Sequence, residues 1–273
     1  MLRSRVVAVP YLVWAAVFIV VPLGLVCWFA FTDSSGQFTL QNLSSIGKYM
    51  PVFLKSISLA GIATVICLLI AFPIAYSISR LSGAKQNLML MLIMLPMWMN
   101  FLLRTYAWMS LLENNGIINR LLGLIGLGPF QMINTQGAVV LGMVYNYLPF
   151  MIMPLYSIMT KIDNSVIEAA RDLGARNMQI VWRVIVPLSV PGISTGIITV
   201  FVPSISTFII SRMLGGGGNL LIGDLIEMQF LGNSYNPHVG SAMALVLMVM
   251  VLLCLSIFGS IDTSEDDMEG MMA

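Results

Sequence analysis

Long apolar segments alternate with short polar ones along almost the whole chain. Six of the apolar segments reach the roughly 20 residues that an α-helix needs to cross the hydrocarbon layer of a membrane. The pattern therefore predicts an all-α membrane protein, folded as a single transmembrane domain over residues 1–273. The expected spans are 8–31, 54–79, 88–111, 136–160, 191–212 and 239–261.

The first apolar segment follows Arg3 and Arg5, as the apolar part of a secretory signal also follows basic residues. The apolar run extends through Phe31. A run of roughly 25 residues is too long for a signal peptide and suits a membrane span. We therefore expect an uncleaved first helix.

The composition agrees with a membrane protein, because 58% of the 273 residues are hydrophobic and only 9% are charged. A water-soluble domain of this size would carry far more charge. The formal net charge is +1, so nucleic acid is not an expected partner. Cys27, Cys67 and Cys254 stand singly in apolar runs without the spacing of a zinc site, and we expect them to be packing residues.

Basic residues are divided unequally between the two sides of the predicted spans. Cytoplasmic loops of membrane proteins carry an excess of Lys and Arg. The side with more basic residues also holds both termini, which are therefore expected in the cytoplasm, together with the solvated acidic tail 265–269. That side holds Arg3, Arg5, Arg80, Lys85, Lys161, Arg171, Arg176 and Arg183, and the opposite side holds Lys48, Lys55, Arg104, Arg120 and Arg212.

In this layout every charged residue lies near a span end or in a loop. Carriers driven by ion gradients usually bind the coupling ion at ionisable groups inside the membrane, so the pattern disfavours such a carrier. Prolines in the spans permit kinks that suit a cavity that opens and closes, although membrane helices also tolerate proline without such a role. They are Pro22, Pro73, Pro96, Pro149, Pro154 and Pro203.

The polar segment 161–190 predicts a hairpin of two short helices. Ser165 and Glu168 have the spacing of a capping box, and Gly174 is placed to end the first helix. Each helix is expected to carry one apolar face that docks another polypeptide or, alternatively, lies among lipid headgroups. The faces comprise Val166, Ala169, Ala170 and Leu173 in the first helix and Met178, Val181, Trp182 and Ile185 in the second.

This segment resembles the cytoplasmic-loop motif of binding-protein-dependent ABC importer permeases. The family pattern is Glu-Ala-Ala, three residues, Gly, nine residues, an aliphatic residue, any residue, an aliphatic residue and Pro. The matching positions are Glu168, Ala169, Ala170, Gly174, Val184, Val186 and Pro187, with Val where the family often has Ile and Leu.

The resemblance implies a type I importer permease, in which the loop forms coupling helices that sit in a groove of the ATPase subunit. It also implies a bacterial inner-membrane location and three kinds of protein partner: an ATPase dimer, a homologous sister permease and an extracytoplasmic substrate-binding protein. The residues expected to couple to the ATPase are Glu168, Ala169, Ala170, Arg171, Asp172, Gly174 and Pro187.

No nucleotide site is expected in this chain. A P-loop ends in Gly-Lys followed by Ser or Thr, whereas the single Gly-Lys pair, Gly47-Lys48, is followed by Tyr49. The glycine run 215–218 carries no lysine and is expected to be a flexible turn. We therefore expect no enzyme activity, cofactor or metal in this chain, with ATP and Mg bound by a separate ATPase.

The segments 103–108, 115–119 and 215–223 resemble the B-type subunit of the spermidine/putrescine permeases. A polyamine is a flexible polycation, and its pathway should offer carboxylates or aromatic faces. Trp and Tyr also anchor helices at the membrane interface, and Arg104 and Arg212 would oppose a cation route unless they snorkel to the outer interface. The pathway candidates are Trp98, Tyr106, Trp108, Glu113, Tyr145, Tyr147, Asp224 and Glu227.

The sequence thus predicts the permease subunit of an ATP-driven polyamine importer. The first alternative is a permease for another small solute, and the second is a gradient-driven carrier or channel. An intramembrane hydrolase is disfavoured because the single histidine, His238, lies at an outer edge and no pair of acids faces another within the spans.

Overall fold

The structure, a computed structural model, describes residues 10–232 and 234–272, with side chains as far as residue 259. This part of the chain is almost entirely helical, with an isolated antiparallel bridge between Thr32 and Phe38. Arg3, Arg5 and the side chains of the acidic tail 265–269 lie outside the described residues. The helices are α1 (Pro10–Phe31), α2 (Gln41–Ser79), α3 (Gly83–Trp98), α4 (Phe101–Leu112), α5 (Ile117–Leu124), α6 (Gln136–Met159), α7 (Asn164–Asp172), α8 (Asn177–Leu188), α9 (Val190–Ser206), α10 (Ile209–Gly215), α11 (Ile222–Leu231) and α12 (Pro237–Met272).

Four of the described helices, α1, α2, α6 and α12, are long and apolar enough to cross a membrane alone. Two bent pairs can supply a span each: α3 with the segment Phe101–Leu124, bent by 86°, and α8 with α9, bent by 69°. The predicted all-α membrane fold with about six spans is confirmed. Hydropathy alone did not show that the segment 88–111 is broken in its middle or that the hairpin continues into the fifth span.

The break between α3 and α4 has a local cause. Pro96 stands in a 3₁₀ turn at the end of α3, where its ring removes a helix hydrogen bond. The side chain of Asn100 then accepts hydrogen bonds from the backbone N–H of Leu102 (2.8 Å) and Leu103 (3.4 Å). This cap starts α4 in a new direction and satisfies N–H groups that the break leaves open.

Helices α2 and α6 pack along a line of mostly small residues in α2. Residues four apart lie on one face of a helix, and small side chains let a second helix approach closely within a membrane. The larger buried residues of α6, such as Met151 and Leu155, fill the space opposite this line. The buried residues of α2 at four-residue spacing are Leu59, Ala63, Cys67, Ala71 and Ala75.

Helix α9 crosses α6 by close contacts at two glycines. If Gly192 carried a Cβ atom, that atom would lie 3.0 Å from the Pro154 carbonyl oxygen. A Cβ atom on Gly196 would lie 2.5 Å from the Met151 sulfur. These glycines flank Ser194 in a Gly-x-Ser-x-Gly sequence, the pattern of a hydrolase nucleophile on a strand-to-helix turn. Here Ser194 lies inside a helix and its hydroxyl donates to the Val190 carbonyl (3.0 Å), so the sequence serves helix packing.

The glycine-run loop, residues 215–221, is a turn as expected, but hydrogen bonds fix it in place. The Asn219 amide donates to the carbonyl oxygens of Asn134 and Gly215, each at 2.9 Å, and Asn219 Oδ1 accepts from Lys55 Nζ at 2.9 Å. The loop is therefore attached to α2 and to the segment that precedes α6. It lies on the side of the spans opposite the predicted hairpin.

The Ala71→Leu substitution tests the close approach of α2 to α6. Ala71 is fully buried in that line, so the added side-chain volume should overpack the contact and destabilise the fold by about 1–3 kcal/mol. The measurement is the thermal unfolding midpoint of the purified protein in detergent. Ala84→Leu, at an exposed position in α3, is the matched control and should leave the midpoint unchanged. Equal midpoints for the two variants would contradict the packing described here.

Candidate functional site

The first helix of the hairpin, α7, begins at Asp163 and not at Ser165. The Asp163 carboxylate accepts a hydrogen bond from the Ser165 backbone N–H (3.0 Å), and this hydrogen bond is the largest cause that lowers the pKa of Asp163 from its ordinary value. The predicted capping box of Ser165 and Glu168 is therefore wrong. Aspartate is as good an N-cap as serine, and here the aspartate stands earlier in the chain.

The turn between α7 and α8 depends on Gly174. Its φ of +79° lies in the left-handed region that glycine adopts without strain. The Gly174 N–H donates to the Arg171 carbonyl (2.8 Å) and the Ala175 N–H donates to the Ala170 carbonyl (3.0 Å). This pair of bonds is the Schellman arrangement that ends a helix at glycine. Gly174 thus ends α7 as the spacing predicted.

The predicted single apolar face of α7 is divided between two directions. Ile167 is buried and Ala170 packs half-buried against the same cluster, between α2 and α6. Val166 and Leu173 point outward, and Leu173 is 89% exposed. The prediction was wrong here because it ignored Ile167, whose burial fixes the rotation of the helix. Ala169 consequently lies on the exposed side.

A π-helical turn, Val181–Ile185, likewise divides the predicted apolar face of α8 between two directions. In a π turn the hydrogen bonds join residues five apart, and Ile180 and Ile185, five apart, are both buried. Val181 packs half-buried against the same cluster. The predicted face of Met178, Val181, Trp182 and Ile185 is therefore also divided, with Met178 (70%) and Trp182 (66%) exposed.

The outward side of the hairpin thus combines apolar side chains with charged ones. We name Val166, Leu173, Met178 and Trp182 the outer patch. All of the predicted coupling residues except Ala170 are exposed as well. The residues that were predicted to couple to the ATPase and are exposed are Glu168, Ala169, Arg171, Asp172, Gly174 and Pro187.

Two of the predicted pathway residues are brought together. The rings of Trp108 and Tyr145 meet edge to face, with centroids 5.3 Å apart. They border an open apolar groove of about 720 Å³ between α2 and α6, whose walls include Leu59, Val140 and Leu148. Aromatic faces next to an apolar groove can contact both a cationic group and the methylene chain attached to it.

Other candidates lie apart from this pair. Trp98 and Tyr106 are 74% and 57% exposed, and Glu113 is an exposed residue at the end of α4. The hydroxyl of Tyr147 donates to the Pro203 carbonyl (3.4 Å), so this side chain joins α6 to α9 inside the fold. Tyr145 and Tyr147 are two positions apart on one helix, and they therefore face different directions.

The two acids on α11 already have partners. Glu227 forms a salt bridge with Arg212, through two hydrogen bonds. Asp224 is fully buried, and one of its carboxylate oxygens accepts a hydrogen bond from the Leu221 backbone N–H (2.8 Å). Burial raises the pKa of Asp224, although hydrogen bonds from Ser211 and Leu221 oppose the shift. The other oxygen of Asp224, Oδ1, is buried without a hydrogen-bond partner among the described residues, so in this conformation neither acid presents an exposed, unpaired carboxylate to a cation.

The two basic residues near the pathway differ in their surroundings. Arg212 pairs with Glu227, and Arg104 is only 8% exposed, with its guanidinium 5.9 Å from the centre of the Phe101 ring. Its Nε and Nη1 atoms have no hydrogen-bond partner among the described residues. Arg104 is therefore held within the fold, whereas Arg212 remains exposed beside its carboxylate partner.

Comparison with known proteins shows the family to which this chain belongs. The sequence pattern of the family described as "Binding-protein-dependent transport system inner membrane component" matches residues 5–269. The spermidine/putrescine transport system permease protein PotB of Haemophilus influenzae is 39% identical over 90% of this chain and 89% of its own length. The protein of the same name in Escherichia coli K12 is 39% identical over 81% of this chain and 82% of its own length.

Solved structures agree at the level of the fold. A bacterial ABC transporter involved in import of the acidic polysaccharide alginate contains a chain that superposes with a TM-score of 0.78 at 16% identity, covering 94% of this chain and 95% of that one. A chain of the inward-facing methionine transporter MetNI superposes with a TM-score of 0.58 at 17% identity, covering 79% of this chain and 94% of that one. The chain therefore belongs to the inner membrane components of binding-protein-dependent transport systems, as a multi-pass permease of the ABC importer type.

Proposed function

We propose that this chain is the permease subunit of an ATP-driven importer that moves spermidine, putrescine or a similar polyamine across the bacterial inner membrane. The observation that carries the mechanism is the hairpin, which is buried on one side and presents the outer patch on the other. The likeness to two PotB permeases supports the choice of cargo. Both termini would lie in the cytoplasm, on the same side as the hairpin.

The outer patch would be the surface on which an ATPase subunit docks. Leu173, Met178 and Trp182 are large apolar side chains exposed at a hairpin rich in charged residues, and exposed apolar groups of this kind mark interaction sites. Glu168, Arg171 and Asp172 would supply charged contacts at the rim. ATP and Mg would bind to two copies of that ATPase, and this chain would hold no cofactor.

The remaining partners would cover the exposed apolar surface of the spans. None of the most apolar part of α1 is buried against the rest of the described chain. Lipid and a homologous sister permease would cover such surfaces, because exposed apolar helices are stable only inside a membrane. A substrate-binding protein would deliver the polyamine on the side opposite the hairpin.

Two other functions stay open as alternatives. A permease for another small solute would use the same hairpin and differ in the pathway. A gradient-driven carrier or channel would need no ATPase. Against the carrier, the buried Asp, Glu, Lys and Arg side chains of the described residues are Arg104, in a bent pair that can supply a span, and Asp224 in α11, and neither lies in the four helices that can span alone.

Reconstitution separates these functions. Vesicles that contain this chain, its sister permease, the ATPase and the binding protein should take up radiolabelled spermidine only with internal ATP, and unlabelled putrescine should compete. Competition by an amino acid or an anion, but not by a polyamine, would support a different cargo. Uptake by this chain alone, driven by an ion gradient, would contradict the ATP-driven mechanism.

Gly174→Val tests the turn that orients the outer patch. A β-branched side chain is strained at a φ of +79°, although a Cβ at Gly174 meets no atom within 4 Å. Strain of one to two kcal/mol in the turn should lower uptake by roughly tenfold while membrane insertion is retained. Gly174→Asn is the matched control, because asparagine tolerates the left-handed region, and it should keep most of the uptake.

Trp108→Leu and Asp224→Asn together test the proposed pathway. Loss of the aromatic face at the groove should weaken polyamine binding and raise the KM for uptake several-fold. Asp224→Asn keeps an oxygen that can accept the Leu221 N–H bond, so it should leave both the KM and the thermal unfolding midpoint near the original values. A raised KM for the asparagine variant with an unchanged KM for the leucine variant would reverse this assignment.

A further inference from the structure

Arg80, directly after α2, joins this helix to the hairpin. One nitrogen of its guanidinium, Nη1, donates to the Ile162 carbonyl (3.0 Å) and to the side-chain oxygen of Asn164 (2.7 Å). The other, Nη2, donates to the Met159 carbonyl (3.1 Å). The guanidinium also lies 5.4 Å from the centre of the Tyr76 ring. We name these contacts of Arg80 the arginine clasp.

The clasp connects three elements at one point. Met159 is the last residue of α6 and Asn164 is the first residue of α7, while Arg80 follows the last residue of α2. A cation at the C-terminus of a helix satisfies carbonyl groups that lack helix partners. That role needs contact with α6 only, so the bond to Asn164 is an additional attachment to the hairpin.

Arginine is suited to this task by its shape. The planar guanidinium presents several donors in fixed directions, whereas a lysine ammonium is a single mobile point charge. Hydrogen bonds from a charged donor are also stronger than those between neutral groups. The clasp therefore adds directional, charge-assisted contacts between α2 and α7 to the apolar packing of the hairpin.

The other half of α2 is attached as well. Lys55 donates to Asn219 in the glycine-run loop, and the Ser56 hydroxyl accepts the Ile222 backbone N–H (2.9 Å) at the start of α11. Lys55 and Arg80 are separated by about 37 Å of helix. One helix thus holds the hairpin near one end and the glycine-run loop on the opposite side of the spans.

We propose that Arg80 is a positioning residue for coupling, which ties the hairpin to α2. A displacement of the hairpin would then move α2 and, with it, the glycine-run loop through Lys55 and the start of α11 through Ser56. This proposal rests on the proposed function of the hairpin as the ATPase contact. It assigns the transfer of movement to a specific polar contact instead of to the helix bundle as a whole.

The first test is transport in the reconstituted complex with Arg80→Gln, with uptake and ATP hydrolysis measured on the same vesicles. Uptake per ATP hydrolysed should fall by about tenfold, the effect expected when charge-assisted hydrogen bonds are lost, while hydrolysis continues. Arg80→Lys should recover part of the ratio. Lys85→Gln, at an exposed position on the same side of the spans, is the matched control and should keep the original ratio.

A double substitution tests whether Arg80 acts through Asn164. If the two residues form one contact, Arg80→Gln with Asn164→Ala should lower the uptake ratio no further than Arg80→Gln alone. Additive losses would overturn the proposed route. An unchanged ratio, with uptake and hydrolysis falling together in proportion to the assembled complex, would show that Arg80 only stabilises the fold and would also overturn it.

A distance measurement keeps this test independent of the cargo. Nitroxide labels at Leu81 and Asn177, in a chain whose three native cysteines are replaced by alanine, report the separation of α2 from the hairpin. The distance distribution should be narrow with Arg80 and broad in Arg80→Gln. Equal distance distributions in the two chains would overturn the clasp. If the distribution broadens in Arg80→Gln but reconstituted vesicles take up no polyamine, only the proposed cargo is contradicted.

Discussion

Ile167, Ile180 and Ile185 anchor the polar hairpin in the apolar cluster between α2 and α6. Each fully buried isoleucine side chain stabilises the fold by about 1.5–3 kcal/mol, whereas exposed charge pairs contribute about 0–1 kcal/mol. Apolar burial therefore decides where the hairpin sits. Because its inner side is fixed in this way, its outer side presents one defined surface to a partner.

The bilayer imposes the other constraint. Helices in lipid gain little from apolar contact with one another, so close approach of small residues must hold them together. The alanines of α2 and the glycines of α9 provide that approach against α6. At the break before α4, the side chain of Asn100 satisfies backbone groups that the break leaves open. The result is a bundle that includes two bent helix pairs, with the hairpin packed against α2 and α6.

Much of this fold could be predicted from the sequence because hydropathy and loop motifs are local signals. The apolar segments, the hairpin and the turn at Gly174 follow from spacing alone. The rotation of α7 and α8 does not, because Ile167 and the π turn act through contacts with α2 and α6 that are distant in sequence. The N-cap of α7 is also a local feature, because Asp163 stands two residues before Ser165 and caps a helix as well as serine does.

The partners of the pathway candidates could not be predicted from the sequence, for a related reason. A charge in the sequence does not show whether it is free or paired, and the salt bridge between Arg212 and Glu227 joins residues from different helices. Asp224 and Tyr147 are residue types that suit a cation pathway, but their side chains hydrogen-bond within the fold. Trp108 and Tyr145 are the two pathway candidates that contact each other beside an open groove. The arginine clasp could not be predicted, because no sequence motif marks its contacts.

The most direct test of the central idea is site-specific photocrosslinking in native membranes. A crosslinking amino acid at Leu173, the most exposed residue of the outer patch, should capture a subunit that contains a P-loop, and ATP should change the yield. The same group at Tyr235, exposed between α11 and α12 on the opposite side, should not capture that subunit. Capture from Tyr235 and none from Leu173 would contradict the docking of an ATPase on the hairpin.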